Sequence, residues 1–221
     1  MKNDRICAEV FSTVVIPSVE DAMRKELGLN ENERSCAIFT ASFDDFIFLG
    51  LDEATKNASV RVSYVHSFYG GGSNASSKLQ GEGIGIIAGE TVGEVRAGID
   101  AVLELEESQV IYGLSHNDDD SIISLVYPVA RTGTFFESWL SIPEGSSIAY
   151  LAGPPAESIY AVDAALKVSG AKLGQYFAPA ETNCGGAILT GSFSQCVTAC
   201  TAYADAVGWV ADNPKEAIYG I

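Results

Sequence analysis

The sequence predicts an α+β fold built from two similar halves, each a mainly antiparallel sheet with helices packed on it. Three observations carry that prediction. Leu51-Asp52-Glu53-Ala54-Thr55-Lys56 recurs as Val162-Asp163-Ala164-Ala165-Leu166-Lys167, an offset of 111 residues. Ile87-Ala88-Gly89, with Val95 and Ala97, recurs as Leu189-Thr190-Gly191, with Val197 and Ala199, an offset of 102. Short β-branched runs also alternate with amphipathic stretches in the same order in both halves. Duplicated units of this size are usually related by a symmetry axis. The offsets differ because the first half carries extra residues in one Gly/Ser-rich stretch, Tyr69 to Gln80. Packed elements tolerate insertion poorly and loops tolerate it well.

In the first half, Glu9 to Ile16 reads as a β-branched strand. Pro17-Ser18 then opens a helix from Val19 to Leu27, with Ser18 as its N-cap. Cys36 to Ala41 suits a buried strand, and Asp52 to Ala58 a short helix. Val60, Val62 and Tyr64 alternate with Arg61, Ser63 and Val65 and predict a strand. Ile84 to Ala88 is a further strand. The helix Thr91 to Glu106 puts Val92, Val95, Ile99, Val102 and Leu103 on one face. The second half repeats the order. It gives a strand from Ile122 to Ala130, a short helix from Thr134 to Leu140, and a strand from Ile148 to Ala152. A helix from Ile159 to Val168 and strands at Leu173 to Phe177 and Ala187 to Thr190 follow. The closing helix, Phe193 to Val210, is expected to face inward through Val197, Cys200, Tyr203 and Val207. The first long helix ends near Glu106 to Gln109, so the domains are expected to span 1–107 and 108–221.

The 221 residues are 47% apolar and 19% charged, the balance of a globular chain with a sizeable core. No apolar run approaches the roughly 20 residues of a membrane helix. Met1-Lys2-Asn3-Asp4-Arg5 lacks the apolar core of a signal peptide, which reads as a cytosolic protein. A net charge of −16 argues against nucleic acid, whose phosphates need clustered Lys and Arg, and against anionic membrane surfaces. A negative potential favours cations and neutral polar molecules. The five cysteines, Cys7, Cys36, Cys184, Cys196 and Cys200, form no CxxC pair, and reduced thiols are expected. Cys196 and Cys200 lie four apart on one helix and suit a core better than a metal.

No catalytic set presents itself. His66 and His116 are the only histidines and stand in no metal-binding spacing. The Gly-rich stretch lacks the Lys-Ser/Thr ending of a phosphate loop. Gly81-Glu82-Gly83-Ile84-Gly85 is not a dinucleotide fingerprint and suits a strand entering close packing. Asp44-Asp45 follows one buried strand and Glu82 precedes another. By composition these are solvated turn residues; as a cluster they would repel one another without a cation or proton. An enzyme using them as acid and base, and a small-amine sensor that does not assemble, are the competing function classes.

Several stretches together carry a family resemblance. They are Asp44-Asp45, Leu51 to Lys56, Gly81-Glu82, Val95-Arg96-Ala97-Gly98-Ile99-Asp100-Ala101 and Ala130-Arg131-Thr132-Gly133. Ala149 to Pro155, Asp163 to Lys167, Glu181-Thr182-Asn183 and Leu189 to Ser192 complete the set. Their joint order, from about residue 10 to the C-terminus, resembles the EutL family, the tandem-domain shell proteins of ethanolamine-utilization bacterial microcompartments. The resemblance implies two circularly permuted microcompartment (BMC) domains per chain. It also implies a homotrimer that mimics a hexamer and tiles a flat shell with other shell proteins, without enzymatic activity.

The resemblance further implies sites. Tyr69, Gly70, Gly71 and Gly72 on one loop, and Glu181, Thr182, Asn183 and Cys184 on the other, would line a gated central pore. Glycines can change backbone conformation there at low steric cost. Asp44, Asp45 and Glu82 match acidic residues of a small pore where the family takes up ethanolamine, with Tyr112 as the aromatic beside it. Carboxylates and an aromatic face both suit an ammonium. The chain departs from the family at Cys184, where an aromatic is usual, and at Phe135-Phe136-Glu137-Ser138-Trp139, where smaller residues are usual. Cys184 supplies one thiol per chain, only three around a threefold axis, and neither cofactor nor metal is expected.

Overall fold

The computed structural model describes residues 1–68, 78–179 and 184–215. The chain folds as two compact units. One comprises Cys7–Ile111 with Arg131–Ser146. The other gathers Met1–Ile6, Tyr112–Ala130 and the chain from Ser147 onward. The units therefore do not follow one contiguous cut.

The first unit is a four-stranded antiparallel sheet with helices. Its strands are β2 (Val10–Ile16), β3 (Ser35–Ala41), β4 (Arg61–Ser67) and β5 (Gly83–Gly89), in the order β2-β3-β5-β4. Helix α1 (Asp21–Glu26) follows β2, α2 (Asp44–Asn57) follows β3, and α3 (Val92–Glu107) follows β5. Helix α4 (Thr134–Leu140) is contributed by the 131–146 segment. Phe39, Phe46, Ile47, Leu51, Ile87, Val95 and Val102 are buried between sheet and helices. Each such side chain stabilises the unit by about 1.5–3 kcal/mol relative to exposure.

The second unit has a six-stranded sheet in the order β1-β6-β7-β8-β10-β9. Its strands are β1 (Arg5–Cys7), β6 (Tyr112–Ser115), β7 (Ile123–Val129), β8 (Ser147–Gly153), β9 (Lys172–Phe177) and β10 (Gly185–Gly191). Helices α5 (Pro155–Ser169) and α6 (Phe193–Asp212) pack together over it. Leu151, Ala161, Ala165, Leu189, Cys196, Cys200 and Tyr203 form the core. Burial pushes the Cys200 thiol up to about 12, so it behaves as an apolar group.

The duplication is visible in the topology. The order β2-β3-β5-β4 is repeated as β7-β8-β10-β9. It extends to single bonds. Ser35 Oγ donates to Pro17 O at 2.7 Å and Ser147 Oγ to Ala130 O at 2.6 Å. Val19 N donates to Arg34 O at 2.8 Å and Thr132 N to Ser146 O at 2.9 Å. Capping boxes open α3 (Thr91 with Glu94) and α6 (Ser192 with Gln195).

Four sequence expectations are corrected. Helix α1 begins at Asp21 behind Glu20, and Ser18 does not cap it, because the Val19 N–H is engaged by Arg34 and holds the chain extended there. Helix α2 begins at Asp44, eight residues before the expected start, because Phe46, Ile47 and Leu49 bury on the same face as Leu51. Helix α5 begins at Pro155, whose fixed φ suits a first helical position. Val197 is 40% exposed and Cys196 fully buried. The two capping boxes are 101 residues apart, so Cys196, not Val197, is the counterpart of buried Val95.

Candidate functional site

The acidic cluster is built by the ends of β3, β4 and β5 in the first unit. Gly81 makes the approach possible. Its φ is +63°, and a Cβ there would lie 2.2 Å from Ala41 O. The next residue, Glu82, donates its N–H to Ala41 O and accepts from Phe68 N, both at 2.8 Å. The Glu82 side chain is thereby presented at the surface, just ahead of β5. Gly83 pairs with Ser67, and the Asp44 Cα lies 3.4 Å from where a Gly83 Cβ would stand. Asp44 and Asp45 form the first turn of α2, both half-buried, where the positive end of the helix favours carboxylates. The Asp45 N–H donates to Asp44 Oδ1 at 2.9 Å. Burial pushes the Asp44 carboxyl above its usual 3.8, opposed by hydrogen bonds from the Ser67 hydroxyl and the helix backbone.

Three of the four residues expected at a small pore thus lie at one end of one sheet. Tyr112 belongs to the other unit, where it opens β6. Its ring carries the Arg5 guanidinium 4.5 Å from the centroid, so the cation on that face is the protein's own. Tyr69, Gly70, Gly71, Gly72, Glu181, Thr182 and Asn183 lie outside the described residues. Cys184 is exposed immediately before β10, as Glu82 is exposed before β5.

Sequence reasoning missed a buried carboxylate. Asp52, on α2, accepts from Gly133 N at 2.9 and 3.0 Å and from Phe136 N at 3.1 Å. Lys56 Nζ lies 3.1 Å away. Burial pushes this carboxyl up, and the Lys56 ammonium and the two N–H groups oppose it. Asp52 acts as the N-terminal cap that α4 lacks from its own residues. Gly133 is required there, since a Cβ would meet Thr55 Oγ1 at 2.4 Å and Asp52 O at 2.5 Å. Trp139 and Phe135 stack on Phe48, at 5.4 and 6.5 Å between centroids. Together with Arg61, Val62 and Val65 these rings line a cavity of about 530 Å³. The only sequence signal for Asp52 was the Leu51–Lys56 repeat itself.

The cluster holds acceptors for a small cation. Among the described residues, no group of three or more His, Cys, Asp or Glu is placed to hold a metal. His116 is tied up in the second unit, with Nε2 2.7 Å from Ser124 Oγ, and burial lowers its pKa.

No family model matches the chain. Curated relatives do. The chain is 47% identical over 215 residues to the bacterial microcompartment shell protein EutL of Clostridium perfringens, covering 97% of this chain and 99% of the relative. It is 39% identical over 214 residues to EutL of Salmonella typhimurium, covering 96% and 97%. Among solved structures, EutL from Leptotrichia buccalis superposes with a TM-score of 0.95 at 48% identity, over 98% of this chain and all of that one.

Proposed function

The chain belongs to the EutL family of bacterial microcompartment shell proteins, and on that premise we propose that three copies form a pseudohexameric tile that passes small polar solutes. The observation that supports the ring is the internal repeat. Two units with one strand order, three times over, supply six similar blocks around one axis. On this reading the repeats at 1–107 and 108–221 are the two BMC domains. The tile joins other shell proteins within the cytoplasm.

Asp44, Asp45 and Glu82 form the small acidic pore; Tyr112, expected beside them, belongs to the other unit and is not counted in it. The pore favours ethanolamine and similar cationic or neutral solutes, because ammonium groups pair with carboxylates and anions are repelled. The loops carrying Tyr69 to Gly72 and Glu181 to Cys184 gate the central pore. No catalysis is assigned to either.

Sedimentation tests the ring: a particle of three times 23.3 kDa is expected. Calorimetry with ethanolamine tests the pore. Asp45→Ala should abolish measurable binding, and unchanged binding would remove the small-pore assignment.

A further inference from the structure

Strands β2 and β7 are counterparts in the repeat, yet only β7 has its outer edge covered. The paired bonds from Ser35 to Pro17 and from Ser147 to Ala130 align Phe11 with Ser124 and Ser12 with Leu125. The ladders agree: Ser12 faces Thr40 as Leu125 faces Ala152. On its other side β7 carries β6, with Gly113 opposite Leu125 and Leu114 opposite Ser124. Ser124 and Leu125 are buried there. Strand β2 ends its sheet, and among the described residues no strand lies beyond it. Phe11 and Ser12 are only half-buried, Thr13 is exposed and Val14 is 49% exposed. An edge strand presents a row of backbone donors and acceptors, which proteins commonly guard with charge or proline. The run Val10-Phe11-Ser12-Thr13-Val14-Val15-Ile16 has neither.

The sequence holds the covering strand twice. Strand β6 with the residue before it reads Ile111-Tyr112-Gly113-Leu114, shortly after α3 ends at Glu107. Ile218-Tyr219-Gly220-Ile221 comes shortly after α6, the counterpart helix, ends at Asp212, and lies outside the described residues. Helix α6 has 20 residues against 16 in α3, which carries its end about 6 Å further. The connection 213–217 has five residues against three in 108–110, and the difference spans about 7 Å of extended chain. The longer connection therefore offsets the longer helix.

We infer that Ile218 to Ile221 of one copy adds as an antiparallel strand to the outer edge of β2 in the next copy, as β6 adds to β7 within the chain. Gly220 then stands opposite Ser12, and Ile221 opposite Phe11. The occupant is this segment because it repeats the run that covers the same edge of the counterpart strand. The repeat also gives its direction. Strand β6 follows the long helix of the first unit and pairs with the opening strand of the second. The run after the long helix of the second unit is therefore directed to the opening strand of a first unit. The first unit of its own chain precedes that helix, so the strand crosses to another copy. The inference takes the succession of copies from the proposed ring and adds a backbone ladder to it.

Two measurements test it. In the assembled full-length protein, hydrogen exchange should find the outward amides of β2 protected, and a chain ending at Ala217 should lose that protection. The variant Ser12→Cys/Gly220→Cys, with Cys7→Ser and Cys184→Ser, should on mild oxidation run as covalently linked copies on a denaturing gel. Three results would each overturn the inference: β2 amides that exchange freely in the assembled wild type, protection that survives the truncation, or no linked copies. Protection that survives would give the edge to a different strand, such as β2 of a second copy. Any of the three in a protein that still sediments as a trimer leaves the ring standing. A wild-type chain that never associates would overturn both.

Discussion

Asp52 and Gly133, 81 residues apart, are joined by a carboxylate that receives one N–H through both oxygens, at 2.9 and 3.0 Å. Asp52 is 1% exposed and also takes the Phe136 N–H. This bond carries the second repeat's short helix into the first unit. Removing the carboxylate leaves two buried N–H groups without their acceptor and leaves the Lys56 ammonium with Glu53, at 2.9 Å, in place of two carboxylates. Asp52→Ala should destabilise the protein by about 3–5 kcal/mol, measured by denaturant unfolding. The counterpart pair is an exposed Asp163–Lys167 bridge at 2.7 Å. Asp163→Ala should cost under about 1 kcal/mol in the unassembled chain.

Glu33 governs a pH dependence. Burial would raise its carboxyl, but the Arg61 guanidinium and the Asn30 N–H outweigh burial and hold it below the usual 4.5. Arg61 Nε and Nη2 donate at 2.8 and 2.6 Å. A carboxyl with a depressed folded pKa contributes stability that is present above its unfolded pKa. That stability is lost as the pH falls through the folded value. Thermal stability should therefore decline below about pH 4.5. Glu33→Gln should flatten that decline and cost about 1–2 kcal/mol at neutral pH.

The register of the closing helix gives a sharper contrast. Cys196 is buried and Val197 faces outward. Val197→Ser should change stability by less than about 0.5 kcal/mol. Cys196→Asp should cost several times more, since it buries an unpaired carboxylate. Equal effects would mean that the helix is rotated from its described position.

Most strands were legible because alternation and β-branching are local signals. The closing helix faces inward through Cys200, Tyr203 and Val207 as expected, and only Val197 was misassigned, because the repeat was aligned on Val95 and Val197 rather than on the two capping boxes. Helix α2 was shortened because Asp44-Asp45 reads as a turn, and only the burial of Phe46 and Leu49 shows a helix there. The convergence of Asp44 with Glu82 depends on Gly81 fitting against Ala41, a contact between residues 40 positions apart. The cap on α4 comes from Asp52, far away in sequence, and local propensity carries no trace of it. The Arg5–Tyr112 contact likewise joins two short strands that no periodicity marks.

Solute binding at the acidic cluster should depend on pH through Asp44. Burial holds its carboxyl above 3.8, so a fraction remains protonated at mildly acid pH. Only the carboxylate pairs with an ammonium. Ethanolamine affinity should rise with pH through the Asp44 titration and then level off. Asp44→Asn should weaken binding at neutral pH and remove the rise, as read by calorimetry across that range.

As proposed above, this duplicated chain is a shell tile. Electron microscopy of the purified wild-type protein at high concentration tests it most directly. Trimeric particles that assemble into hexagonally packed two-dimensional sheets are expected. Particles that remain dispersed as single chains or dimers at every concentration would contradict it.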